Sequence, residues 1–243
     1  MADAGLPVRA FFTGRHTGAS TAPYDSLNVA LHVGDDPRAV AKNRDAVSSR
    51  AGGPVTFLTA EHGIRVRRVR AGDVAGVQPA ADILVTTHPG IALAAIGADC
   101  VPLLLHDGAT GAVAAAHIGR AGLWAGAVDA AVAALLDLRP AREPTRTISA
   151  SIGPAICGRC YEVPADMRRE VAERHPTATS TTRWGTPALD IPKAVETRLT
   201  EIGVGQIVRL RACTFEDPAY FSHRRDGVTG RQCGVVVCGV SLP

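Results

Sequence analysis

Short apolar runs separated by glycine, proline and aspartate dominate the middle of this 243-residue sequence. Ile91–Ile96 and Val101–Leu105 are almost continuously apolar, and Ala112–Ala116 follows the Asp-Gly pair at 107–108. Strands that are covered on both faces carry such unbroken runs, whereas half-exposed strands alternate between apolar and polar residues. The pattern therefore predicts a sheet-rich centre with other structure packed against it.

Further strand-like and helix-like segments surround this centre. The predicted strands are Val8–Thr13, Val55–Thr59, Val66–Arg70, Ile83–Thr86, Ile148–Ile152, Ile207–Ala212 and Val235–Val240. The first predicted helix begins after Asp35 or Asp36. Three further helices are predicted over Gly122–Leu138, Pro164–His175 and Ile191–Ile202. Strands and helices do not alternate strictly and no linker divides the chain. We therefore expect a single domain over residues 1–243 with an α+β (mixed α/β) fold, in which helices flank central mixed β-sheets.

Composition excludes several classes of function. The chain has 26 basic and 23 acidic residues, a net charge of +3, and only 4% aromatic residues, which argues against binding nucleic acid. No apolar stretch reaches the roughly 20 residues that a membrane span needs, and no secretory signal is visible. Six cysteines are too few for a disulfide scaffold and are expected to be reduced thiols. We expect a cytoplasmic protein without membrane or nucleic-acid partners.

Cys100 and His117 stand out because each lies where a strand-like run meets a loop. Adjacent strands would bring the two side chains to the same end of a sheet. Such a pair can form a thiolate–imidazole nucleophile or supply two metal ligands, although a buried structural cysteine beside a satisfied histidine fits equally well. His62, in a turn between two other runs, would add a third ligand, and three ligands with one open position are typical of catalytic zinc.

Cys157 and Cys160 form a CxxC motif, which by itself is a weak signal for redox chemistry or zinc. Cys233 and Cys238 are five residues apart, a poor spacing for a zinc ribbon. The favoured interpretation of all four is that they are incidental thiols.

Two arginine-containing segments are candidates for binding an anion or a polar ring. Arg224 and Arg225 lie in a segment with serine and glycine neighbours, and an arginine offers a two-pronged donor to phosphate or carboxylate. A charged hairpin rim explains the same residues. Asn43 and Arg44, on the first predicted helix, are ambiguous in the same way.

Several longer motifs together give the sequence a specific resemblance. They are Phe12-Thr13, Gly18, Pro23-Tyr24-Asp25-Ser26-Leu27-Asn28, His32-Val33-Gly34-Asp35-Asp36-Pro37, Asn43-Arg44, His62-Gly63, Ala98-Asp99-Cys100-Val101-Pro102, His117, Ile152-Gly153-Pro154, Cys160-Tyr161-Glu162-Val163, Phe221-Ser222-His223-Arg224-Arg225-Asp226-Gly227 and Thr229-Gly230-Arg231. In this order, from about residue 10 to residue 240, they resemble the laccase-domain family. Its members have been described as polyphenol oxidases, as purine nucleoside phosphorylases and as peptidoglycan-editing factors.

The resemblance implies a zinc (Zn²⁺) or copper (Cu²⁺) site on His62, Cys100 and His117. It implies phosphorolysis of adenosine, inosine or methylthioadenosine to the free base and ribose 1-phosphate, with deamination of adenosine as a side activity. Nucleoside and phosphate are then the small-molecule partners. We expect Cys100 and His117 to be catalytic and Asn43 to contact substrate. Arg44, Arg224 and Arg225 are our candidates for orienting phosphate.

Two departures from the family pattern concern positions near these ligands. Ala60 stands where the family commonly has glutamine, two residues before the first ligand histidine. Ala121 replaces the usual arginine, although Arg120 precedes it directly. All three ligand types are retained. Two alternative functions therefore stay open: a metal-free cysteine hydrolase, acting on an amide or a peptidoglycan precursor, and a copper-dependent oxidase or non-catalytic metal-binding protein.

Overall fold

The computed structural model describes residues 1–73, 78–139 and 144–241. Its strands are β1 (Ala2–Asp3), β2 (Val8–Phe12), β3 (Val55–Phe57), β4 (Val66–Arg68), β5 (Ile83–Thr86), β6 (Ala92–Gly97), β7 (Val101–Asp107), β8 (Val113–Ile118), β9 (Ile148–Ile152), β10 (Thr179–Thr181), β11 (Pro187–Leu189), β12 (Gln206–Arg209) and β13 (Gln232–Ser241). Its α-helices are α1 (Pro37–Ala51), α2 (Arg120–Ala125), α3 (Ala127–Leu136), α4 (Ala165–Arg174), α5 (Ile191–Ile202) and α6 (His223–Asp226).

The described strands form two large sheets and one small one. The first large sheet has the order β1-β2-β13-β6-β3, the second has the order β12-β9-β7-β8-β5-β4, and β10 pairs with β11. Both large sheets are mixed, since β3 runs parallel to β6 and β12 runs parallel to β9 among otherwise largely antiparallel neighbours. The predicted mixed α+β fold is therefore confirmed.

The six-stranded sheet lies between the five-stranded sheet and a layer of helices. Leu104 and Ala115 pack into the apolar cluster shared with the five-stranded sheet. Their neighbours Leu103 and Leu105 point to the other face, into the cluster formed with α3 and α5. Successive strand residues alternate between faces, so a strand buried on both sides needs apolar residues at every position. This explains the unbroken apolar runs in the sequence.

Helix boundaries follow from capping residues. Asp36 caps α1 by accepting a hydrogen bond from the Arg38 amide, and Asp190 caps α5 by accepting one from Lys193. The single helix predicted over Gly122–Leu138 is wrong. Gly126 adopts a left-handed conformation with φ of 91°, which ends α2 and starts α3. A residue with φ in this region cannot continue a right-handed helix.

Most other predicted elements agree with the observed ones to within a few residues. The charged residues at 140–145 predict a short connection between α3 and β9, and most of them lie outside the described part of the chain. Among the described helices, none combines the length and the apolar character that crossing a bilayer requires.

Candidate metal centre

Strand pairing brings Cys100 and His117 together. In the antiparallel pair of β7 and β8, Pro102 lies opposite His117 and Val101 lies opposite Ile118, so Cys100 is next to the end of β8. His62 joins them from the turn that follows β3, and its ring centroid is 4.7 Å from that of His117. One donor atom from each residue lies within 4.8 Å of the other two. The structure thus assembles the three side chains expected from the sequence.

Asp82 holds two of these residues in place. Its carboxylate accepts hydrogen bonds from the amides of Glu61 and Gly63, one on each side of His62, at 3.0 Å. One carboxylate oxygen is 3.7 Å from Nδ1 of His117, and the Asp82 carbonyl accepts the His117 amide at 2.8 Å. His62 has a left-handed φ of 63°, an unusual conformation for a non-glycine residue, and these bonds stabilise it.

Asp99, immediately before Cys100, connects the same region to two later loops. Its carboxylate accepts hydrogen bonds from the hydroxyls of Thr214 (2.6 Å) and Ser222 (2.7 Å) and from the amide of Arg224 (2.7 Å). Asp99 also has a positive φ, 90°. Three charge-assisted bonds to one carboxylate keep this strained residue, and with it Cys100, in a defined position.

The electrostatics of the buried pair favour a thiolate beside an imidazolium when no metal is bound. Burial alone would raise the pKa of Cys100, but the charge of His117 and hydrogen bonds from both histidines lower that pKa to about 6. Burial alone would lower the pKa of His117, but the Cys100 thiolate and Asp82 raise it to about 9. A thiolate is the form of cysteine that binds metals and attacks electrophiles.

The three donors fit a zinc or copper ion. One thiolate and two imidazoles are ligands that both metals accept, and an Asp behind a ligand His is the usual way to orient its ring. Gly119 leaves room beside them: a Cβ there would lie only 3.0 Å from Sγ of Cys100 and 3.2 Å from Cδ2 of His62. Three ligands also leave one side open for water or substrate.

A cavity of about 330 Å³ opens over the three donors. Its size lies in the range of small-molecule sites, roughly 300–1,000 Å³. Ala60 and the apolar Ile96, Ile118 and Ile156 line part of it. Basic and polar side chains from separate loops and from the first residues of α2 and α6 line the rest: His32, Arg120, Tyr161, His223, Arg224 and Arg231. A pocket with several cations above a metal-binding floor is suited to an anionic or strongly polar ligand.

The four predicted substrate-binding residues have different positions. Arg224 lines the cavity, with its guanidinium 4.9 Å from the ring centre of Tyr161. Arg225 instead donates to the backbone carbonyls of Thr214 and Tyr220 and pairs with Asp226.

Asn43 and Arg44 lie on α1 away from the cavity lining. The buried Asn43 side chain donates to the carbonyls of Ser26 and Asn28, which ties the long loop at 14–34 to the helix. Arg44 donates to the Val29 carbonyl and stacks on Phe57. These contacts assign both side chains to the framework of the loop, and a direct role in binding substrate stays a prediction.

Reasoning from the sequence missed Asp82, His32 and Arg231 as members of the site. Asp82 is a fully buried carboxylate between apolar neighbours at the start of β5, and a lone acid in such a run is a signal that could have identified it. His32 and Arg231 lie in loops within motifs that carry the family resemblance, and this signal could have identified them as members of the site. Arg120, one residue before the departure at Ala121, does line it.

Comparison with known proteins gives a consistent result. Residues 9–239 match the family model described as "Multi-copper polyphenol oxidoreductase laccase". A Streptomyces coelicolor protein named purine nucleoside phosphorylase is 46% identical over 93% of both chains, and a Mycobacterium tuberculosis protein of the same name is 42% identical over 94% of this chain and 91% of its own.

Solved structures agree with these relatives. The crystal structure of YlmD from Geobacillus stearothermophilus has a TM-score of 0.87 and 31% identity, covering 98% of this chain and 94% of YlmD. That of a Neisseria meningitidis protein has a TM-score of 0.85 and 35% identity, covering 96% of both chains.

Proposed function

The chain belongs to the family described as multi-copper polyphenol oxidoreductase laccases, and its relatives in Streptomyces are named purine nucleoside phosphorylases. We propose that it is a metal-dependent purine nucleoside phosphorylase. As a single domain over residues 1–243, it converts adenosine, inosine or methylthioadenosine and phosphate to the free base and ribose 1-phosphate. Deamination of adenosine is a side activity. The metal is zinc or copper, held by His62, Cys100 and His117.

One observation carries this proposal: the three donors form the floor of a cavity whose walls hold several arginines. Phosphorolysis needs a cationic place for phosphate next to a place for the nucleoside. The cavity is large enough for a small polar ligand and offers Arg120, Arg224 and Arg231 as phosphate-binding candidates. The names of the relatives point to the same reaction.

The residues of this chain act mainly by positioning and charge. When bound, the metal supplies a positive charge that polarises a ligand oxygen. Asp82 and Asp99 keep the donor residues in place, so that little reorganisation is needed during the reaction. Arg224, supported by Tyr161, orients phosphate toward the sugar. The apolar side of the cavity, with Ile96, accommodates the base.

A second candidate, a cysteine hydrolase, is favoured by the acidic thiol of Cys100 beside His117. Such an enzyme uses the thiolate as a nucleophile and the imidazolium as an acid, without metal. Copper-dependent oxidation of polyphenols is a third reaction for the same donor set. Its requirement for copper and oxygen separates it from the other two.

The deciding experiment combines metal analysis with product analysis. Protein purified without added metal is assayed with adenosine, with and without phosphate, and the products are separated by chromatography. Phosphate-dependent release of adenine, together with metal bound at His62, Cys100 and His117, supports the phosphorylase. Inosine formation independent of phosphate reports the deaminase side activity.

Two results would contradict the phosphorylase. Activity in metal-free protein that is lost on alkylation of Cys100 indicates the hydrolase. Metal at the site without turnover of any nucleoside excludes the proposed reaction. Cys238→Ala is the matched control for Cys100→Ala, because Cys238 is buried in β13 and does not line the cavity.

A further inference from the structure

The CxxC motif has two additional partners that the sequence does not connect to it. Cys213 and Glu216 lie beside Cys157 and Cys160, and one donor atom from each of the four residues lies within 4.8 Å of the others. The interpretation of Cys157 and Cys160 as incidental thiols did not take these partners into account. We propose that this Cys157–Cys160–Cys213–Glu216 cluster is a second, structural Zn²⁺ site.

The donor set suits zinc. Three thiolates and one carboxylate give four ligands of types that zinc accepts, and four protein ligands are typical of structural rather than catalytic sites. Zn–S bonds of about 2.3 Å in a tetrahedron place neighbouring ligand atoms roughly 3.8 Å apart. The donor atoms of the cluster lie within 4.8 Å of one another, so binding one ion requires any pair to approach by at most about 1 Å. An iron–sulfur cluster would hold its sulfurs further apart.

The backbone presents the ligands as two matching turns. In the first turn the carbonyl of Cys157 accepts the amides of Cys160 and Tyr161, at 2.9 and 3.0 Å. In the second the carbonyl of Cys213 accepts the amides of Glu216 and Asp217, at 3.2 and 2.9 Å. Each turn therefore supplies a ligand at its first and fourth positions: Cys157 and Cys160 from one turn, and Cys213 and Glu216 from the other. In this geometry the two turns bind one ion from opposite sides.

Further contacts support a charged sulfur–oxygen site. The amide of Cys157 donates to Sγ of Cys213 at 3.4 Å, a bond that stabilises a metal-bound thiolate. Three thiolates and a carboxylate around Zn²⁺ retain net negative charge, and Arg183 donates to Oε1 of Glu216 at 3.1 Å. Cys160 is fully buried, whereas Glu216 is exposed and closes the solvent side.

The proposed ion joins the loop of Cys213 and Glu216 to the CxxC loop, and the CxxC loop forms part of the cavity wall. Ile156 and Tyr161, which flank the CxxC motif, both line the cavity over Cys100. The amide of Ile156 donates to the carbonyl of Asp99, and Thr214, next to Cys213, donates to its carboxylate. A zinc ion here stabilises the wall without touching the substrate.

The test uses full-length Cys100→Ala protein, in which the first cluster lacks a ligand. Purified without added metal, this variant is expected to hold one zinc per chain. Adding Cys160→Ser is expected to remove that zinc and to lower the melting temperature by about 10 °C, as for loss of a tightly bound ion. Adding Cys238→Ala instead is the matched control and leaves the zinc in place.

Two further measurements do not depend on a core substitution. Glu216→Gln, at an exposed position, is expected to weaken Zn²⁺ binding in the Cys100→Ala background by more than about tenfold. Co²⁺ added to apo Cys100→Ala protein is expected to give the near-ultraviolet charge-transfer band of several thiolate ligands.

Three results would overturn the proposal. They are full zinc content after Cys160→Ser, absence of the thiolate band with Co²⁺, and a disulfide among Cys157, Cys160 and Cys213 in the protein as purified under reducing conditions. Because every readout is metal binding or stability, none of these results depends on whether the protein cleaves nucleosides.

Discussion

The two donor clusters lie close together but differ in completeness and exposure. His62, Cys100 and His117 offer three donor atoms below an open cavity, whereas the Cys157–Cys160–Cys213–Glu216 cluster offers four, one of them from the exposed Glu216. Open three-ligand sites do chemistry and closed four-ligand sites hold loops together. Asp99, which directly precedes Cys100, connects the two regions by accepting hydrogen bonds from Thr214 and Ile156, the neighbours of Cys213 and Cys157. The difference implies that substitutions in one cluster change turnover and those in the other change stability.

The largest expected effect on turnover comes from Cys100→Ala. Loss of a direct ligand is expected to reduce kcat/KM more than about 100-fold, since even outer partners of a ligand contribute 10–100-fold. The metal content falls by one ion per chain while the second cluster keeps its own. Metal analysis and adenosine phosphorolysis measure the two quantities together. Unchanged metal content would remove Cys100 from the ligand set.

The next largest effect is expected for Asp82→Asn. Asparagine replaces one of the two accepting carboxylate oxygens by an NH₂ group, so the bond to the backbone N–H of either Glu61 or Gly63 is lost. His62 and His117 then lose their alignment, and metal affinity falls about 10–100-fold. Titration with Zn²⁺ measures the change. Asp107→Asn is the control, because Asp107 is equally buried and pairs with Arg139 away from both clusters. A similar loss of affinity in both variants would mean that Asp82 acts only through general stability.

An effect of similar size, but on phosphate binding rather than on metal affinity, is expected for Arg224→Ala, which removes a cation from the cavity. A charged hydrogen bond of about 1.5–3 kcal/mol corresponds to a 10- to 100-fold higher KM for phosphate, with little change in metal content. Steady-state kinetics with varied phosphate measure it. Arg225→Lys is the contrasting variant: its partners are backbone carbonyls and Asp226, so stability falls and KM for phosphate stays the same. The reverse outcome would exchange the roles of the two arginines.

The smallest effect on turnover is expected for Cys160→Ser in the otherwise unchanged chain. Loss of the structural ion lowers the melting temperature by about 10 °C, while kcat at low temperature changes by less than about fivefold, because no ligand touches substrate. Thermal unfolding and kinetics at 15–20 °C below the new melting temperature separate the two effects. A loss of turnover as large as that of Cys100→Ala would make the two clusters functionally equivalent.

Much of the fold was predictable because local rules decide it. Unbroken apolar runs predicted strands buried on both faces, and Leu103 and Leu104 do face different layers. Asp36 and Asp190 marked helix starts. The break at Gly126 was missed, since a glycine within an apolar helical pattern is also tolerated inside a helix.

The sequence alone determined the mixed α+β class and, through its motifs, the family and the three donors at residues 62, 100 and 117. Only the tertiary structure decided which other side chains join them. Cys157 and Cys213 are 56 positions apart, and Asp82 accepts from the amide of Gly63, 19 positions earlier. Such contacts between residues distant in the sequence depend on strand register and on the paths of the loops. Both are set by the packing of the whole chain rather than by the local conformational preferences of the residues. For that reason a lone CxxC appeared incidental, and its partners became visible only in the fold.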